Sequence, residues 1–167
     1  PFLPVQLFKS HTLKTGDWVE QTVFQSISTS GVIPSFHYVR DLDFYRFNTW
    51  LGFSTYYGNP ADYCILALLP AYLERSGSSL VCMADYFIRS SRYPESGFFL
   101  NNTDELAKVL KALANRHIPV LLLGVSFALI DLSEKYEIDL QHVIVMETGG
   151  MKGRRKEITR EELHSML

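Results

Sequence analysis

Short apolar runs that alternate with helix-length amphipathic segments restrict this chain more than any other feature. Residues 63–69, 119–123 and 142–146 are apolar almost throughout, and two of them are rich in Ile, Val or Cys. Runs of that length without polar alternation are strands buried on both faces, the mark of parallel pairing. Between them lie helical patterns. Residues 78–89 set Leu80, Met83, Ala84 and Phe87 on one face, and Asn102 precedes a segment with Leu106, Val109, Leu110, Leu113 and Ala114 at three-and-four spacing. A further helix is expected over 125–136. This rhythm predicts an α/β fold, a mostly parallel sheet with helices on both faces joined by right-handed crossovers. Upstream, 18–24 reads as a strand and 41–57 as a long aromatic-rich helix closed by Gly58-Asn59-Pro60.

Composition narrows the function classes. With 167 residues and 47% hydrophobic content, residues 1–167 suffice for a single α/β core. A net charge of −2 makes no electrostatic case for nucleic acid. No apolar stretch approaches the ~20 residues of a membrane span. Asn101-Asn102-Thr103 matches a glycosylation acceptor, but without a signal peptide or cysteine framework the expected location is cytoplasmic. Cys64 and Cys82 read as core residues, not as a disulfide or zinc site. The aromatic stripe Phe44, Tyr45, Phe47, Trp50, Phe53, Tyr56 and Tyr57 reads as core or interface. His11, His117, His142 and His164 take structural roles by default, whereas His37 stands where it could reach a phosphate or carboxylate.

Two loops carry the functional signal. After the strand at 142–146 comes Glu147-Thr148-Gly149-Gly150-Met151-Lys152-Gly153, where adjacent glycines let the backbone lie against a flat ligand. Thr159 with Glu162 forms a capping box, and Ile158 with Leu163 has the spacing of a hydrophobic staple. The loop therefore lies between a strand's carboxyl end and a helix, where open α/β sheets bind ligands. Tight turning alone would equally account for the glycines. Lys152, Arg154, Arg155 and Lys156 form either an ordinary solvated surface or a cationic rim for a polyphosphate. In the second loop, Ser26, Ser28, Thr29, Ser30 and Gly31 combine hydroxyls with backbone N–H groups, the makings of an anion nest or of a plain flexible connection.

The run 147–163 (ETGGMKGRRKEITREEL) resembles the signature of LuxE-type acyl-protein synthetases, members of the acyl-adenylate-forming superfamily that includes acyl-CoA synthetases and phenylacetate-CoA ligases. Residues 1–10, 68–80 and 121–126 are similar to the same family in the same order, so the likeness covers nearly the whole chain. The resemblance implies part of an adenylate-forming N-terminal domain using ATP and Mg²⁺. Ser26, Ser28, Thr29, Ser30 and Gly31 would hold the ATP phosphates, and Thr148, Gly149, Gly150 and Met151 would line the adenine. His37, Pro70, Tyr72, Gly124, Val125 and Ser126 are the candidates for an acyl pocket. Implied partners are a fatty or other carboxylic acid, a thiol acceptor (a protein Cys or CoA) and an acyl-reductase.

Departures from the family pattern are specific. Ile27 and Ser28 stand where relatives carry a small hydroxyl residue and a glycine, and Ser35, Phe36, His37 and Arg40 occupy a region where many carry a lysine. The family's magnesium carboxylate motif, ribose-binding Asp, C-terminal Lys and acyl-accepting Cys are not found. The sequence thus reads as an excerpt of a chain about twice as long, inactive alone, with no catalytic or metal-ligating residue assigned. An aryl- or acyl-CoA ligase, and a degenerate nucleotide- or acyl-binding module, are the alternatives.

Overall fold

The computed structural model describes residues 2–26, 33–70, 77–100, 102–138, 140–149 and 158–166. A one-turn helix α1 (Leu7–Ser10) precedes an antiparallel hairpin of β1 (Thr22–Gln25) and β2 (Phe36–Val39), with Thr22 opposite Val39 and Gln25 opposite Phe36. The strand expected over 18–24 is shorter because its start is engaged locally. Lys14 Nζ donates to the Trp18 carbonyl and the Trp18 indole donates to the Thr15 carbonyl.

Helix α2 (Leu42–Tyr57) begins where the Asp41 carboxylate accepts the N–H groups of Asp43 and Phe44, both at 2.9 Å. Its aromatic stripe divides. Phe53 is buried and, with Trp50, packs edge-on against Phe87, while Phe44, Phe47 and Tyr56 are exposed. A 3₁₀ turn (Pro60–Asp62), capped by the Asn59 side chain, leads into β3 (Cys64–Leu68). Then follow α3 (Ser79–Ser90), β4 (Gly97–Phe99), α4 (Thr103–Asn115), β5 (Val120–Val125), α5 (Ser126–Lys135), β6 (Val143–Thr148) and α6 (Arg160–Met166).

Among the described residues these strands form a four-stranded sheet in the order β4-β3-β5-β6, parallel throughout. Side-chain alternation distributes the helices over both faces. Ile65 and Leu121 pack with Phe53 of α2 and Phe87 of α3. Cys64, Leu66, Val120 and Leu122 join Leu106, Leu110 and Leu113 of α4, Leu129 of α5 and Leu163 of α6. Each such fully buried aliphatic side chain stabilises the fold by about 1.5–3 kcal/mol.

Two local expectations need correction, and one strand had none. The run 142–146 is half-buried, not buried, because β6 is an edge strand with a neighbour on one side. Asn102 stands at the start of α4 but does not cap it: its Oδ1 accepts from the Leu100 N–H and its Nδ2 donates to Glu105. β4 was hidden because three residues opening on glycine carry no periodic signal, and pairing with β3 makes the strand. The capping box of α6 is formed as expected. Thr159 N–H donates to Glu162 Oε2 at 2.7 Å, Glu162 N–H donates to Thr159 Oγ1 at 3.2 Å, and buried Leu163 and Ile158 join the same core.

Candidate functional site

The strand order contains a reversal. From β3 the chain moves to β4 on one side, then crosses back to β5 on the other. The helices that leave β3 and β5 cover opposite faces, so the carboxyl ends of these two strands form the switch point of the sheet, the position at which open α/β sheets bind ligands. Pro70 stands just beyond β3, and Gly124, Val125 and Ser126 end β5 and open α5. All are engaged in packing: Pro70, Val125 and Ser126 are buried, and a Cβ on Gly124 would lie 2.6 Å from the Leu129 side chain. Tyr72 lies outside the described residues.

Beside this switch point the ends of β5 and β6 are tied together. Gly124 is opposite Glu147 and Val125 opposite Thr148 in the ladder. The hydroxyl of Ser126, the first residue of α5, donates to Glu147 Oε1. Thr148 closes β6, and Gly149 takes φ 87°, a left-handed turn that suits glycine. Gly150, Met151 and the cations Lys152, Arg154, Arg155 and Lys156 lie outside the described residues. The sequence reading gave Glu147 no role; its tie to Ser126 follows from the strand register and not from spacing.

The base of the serine-rich loop is closed by a reciprocal pair. Ser26 N–H donates to the Ser35 carbonyl at 3.0 Å, and Ser35 N–H donates to Ser26 Oγ at 2.8 Å. Ser28, Thr29, Ser30 and Gly31 lie outside the described residues. The hairpin docks on the entrance to α3, where Gln25 N–H donates to the Gly77 carbonyl at 2.8 Å. Gly77 has φ 85°, and a Cβ there would stand 3.0 Å from the Val23 carbonyl oxygen, so both conformation and contact demand glycine. His37 is held within the hairpin, with Nε2 3.3 Å from Ser35 Oγ and its ring stacked on Phe8 at 4.6 Å.

A cleft of about 360 Å³ runs between the hairpin and α3, lined by Phe24, Leu42, Gly77, Val81, Cys82 and Phe98 among others. Asp85 and Arg89 form an ion pair on its wall at 2.8 Å. Burial pushes the Cys82 thiol upward, an effect that the Arg46 guanidinium partly opposes. Burial raises the Cys64 thiol to about 11. Neither is a ready nucleophile, since the thiolate is the reactive form. Among the described residues no group of three or more His, Cys, Asp or Glu could hold a metal ion, and no helix is long and apolar enough to cross a membrane.

The fold defines an α/β protein with an open parallel sheet and a strand-order reversal. Compared with known proteins, the chain matches no protein-family model, no curated protein and no solved structure.

Proposed function

We propose that this chain is the nucleotide-binding core of an acyl-adenylate-forming enzyme resembling acyl-protein synthetases, which activates a fatty carboxylic acid with ATP and passes the acyl group to a thiol. One observation carries the reading. Of the residues that resemble the family's strand-end pocket and adenine loop, Pro70, Gly124, Val125, Ser126, Thr148 and Gly149 stand at the carboxyl ends of β3, β5 and β6, and Ser26 of the phosphate-type loop follows β1 in a hairpin that docks through Gln25 on Gly77, before α3.

In the reaction a carboxylate oxygen attacks the α-phosphorus of ATP and pyrophosphate departs, leaving a mixed anhydride that a thiol then opens. Charge develops on the phosphoryl oxygens, so fixed donors supply most of the stabilisation. Ser26 Oγ accepts from Ser35 N–H, which leaves its own O–H to donate to a phosphate. Ser28, Thr29, Ser30 and Gly31 would complete that cradle, and Thr148, Gly149, Gly150 and Met151 would line the base. Mg²⁺, bound chiefly by phosphate oxygens and water, would neutralise the polyphosphate. The apolar cleft beside Gly77 suits the acyl tail better than the packed Gly124–Val125 turn. The acceptor would be a protein Cys or CoA, with an acyl-reductase as downstream partner, and dependence on ATP fits a cytoplasmic setting. Ile27 and Ser28, which depart from the family's loop, favour a second reading, a nucleotide- or acyl-binding module that has lost catalysis.

Calorimetric titration with ATP tests the proposal. The chain is expected to bind ATP weakly, and Gly150→Val, whose added side chain would occupy the space of the ring, is expected to abolish binding while the circular dichroism spectrum is retained. A titration curve unchanged by Gly150→Val would move the base elsewhere and sink this assignment.

A further inference from the structure

We infer that Glu147, held in place by Ser126, selects an amino-substituted purine over an oxo-substituted one; this rests on the adenine reading of the adjoining turn. Ser126 is 2% exposed, one of two buried polar or charged residues among those described. A buried hydroxyl needs an acceptor. Ser126 opens α5, whose N-cap position is taken by Val125 and offers no side-chain cap, and its hydroxyl reaches across to the neighbouring strand to donate to Glu147 Oε1. An exposed glutamate ordinarily samples many rotamers. Here a buried partner fixes one.

The consequence is directional. Glu147 itself is exposed, so with Oε1 anchored inward the carboxylate presents Oε2 toward solvent, one residue before the Thr148–Gly149 turn. A carboxylate accepts hydrogen bonds and donates none. It therefore attracts an exocyclic amine and repels a ring carbonyl at the same position, and a fixed acceptor discriminates more sharply than a mobile one. Glu147 is a specificity residue; Ser126 acts through it as a positioning residue.

Titration of ATP and inosine triphosphate, which differ at the purine 6-position, tests this on the chain as it stands. The chain is expected to bind ATP at least about tenfold more tightly than the inosine nucleotide. Glu147→Gln, whose amide can turn a donor toward a carbonyl, should bring the two within about twofold. Ser126→Ala should lower the ratio while Ser126→Thr, which retains the hydroxyl, preserves it. A ratio that Glu147→Gln and Ser126→Ala leave unchanged, with ATP still bound, removes Glu147 from base selection and leaves the adenine site standing. Failure of the unaltered chain to bind either nucleotide overturns the adenine reading and this inference with it.

Discussion

Gly124 and Leu129 should prove energetically coupled, and the coupling can be worked from their contact. A Cβ built on Gly124 lies 2.6, 2.7 and 3.2 Å from Leu129 Cδ2, Cγ and Cδ1. Carbon atoms pack at about 3.5–4.0 Å, so Leu129 would have to retreat by roughly 1 Å. It has nowhere to go, being 2% exposed within the core that also holds Leu122 and Leu132. Overpacking of this kind costs about 1–3 kcal/mol, and the lower chain entropy of alanine returns roughly 0.5–1 kcal/mol, so Gly124→Ala should destabilise by about 1–2 kcal/mol. Leu129→Ala alone should cost about 2–5 kcal/mol through lost burial and the cavity it leaves. In the double variant the new Cβ enters that cavity and meets no side chain. The combined loss should therefore fall short of the sum by about 1–2 kcal/mol. Urea unfolding followed by tryptophan fluorescence and far-ultraviolet dichroism measures all three variants. Additivity within about 0.5 kcal/mol would refute the packing argument.

Two further outcomes follow from local chemistry. Burial raises the Cys64 thiol from 9.0 to about 11, so above pH 9 the unfolded chain releases this proton while the folded chain keeps it. Stability present below pH 9 is thus lost between pH 9 and 11, by about 2–3 kcal/mol, and Cys64→Val should unfold with a correspondingly flatter pH dependence in that window; identical slopes in the two proteins would rule the cause out. Thr159→Ala removes the hydroxyl that accepts the Glu162 N–H and should cost about 1 kcal/mol. Faster amide exchange confined to α6 is the expected signature, and protection equal to the parent's would show that the box contributes nothing.

What could be read from the chain in advance is what depends on neighbours in sequence. The Thr159–Glu162 box before α6 satisfies N–H groups three residues away, so residue type and spacing identify it, and Asp41, expected inside α2, caps it by the same local chemistry. The runs containing Ile65 and Leu121 are apolar enough to be strands in almost any arrangement. Strand order is different, because it is a tertiary outcome. Hence β4 escaped notice, β6 was expected inside the sheet, and β2 became visible only through its pairing with β1. In the candidate site, Ser26 and the Thr148–Gly149 turn stand out by composition, and the roles proposed for them come from the family resemblance. Glu147 does not stand out, since its partner is 21 positions away and is brought near by the β5–β6 register. Pro70 stands just beyond β3, as expected of a strand end, whereas β5 runs on through Gly124 and Val125, past the expected 119–123, and nothing local told that these residues would be closed over by packing.

The reversal at β3 also dictates an order of assembly. β3, α3 and β4 are consecutive, so they can associate while the rest of the chain is still unstructured. β5, α5 and β6 are consecutive too and can associate just as locally, whereas joining β5 to β3 closes a much longer loop. Ser126 can therefore find Glu147 within the β5–β6 unit, while the carboxyl ends of β3 and β5 meet late. A chain arrested before that docking would hold two local units and no joined core.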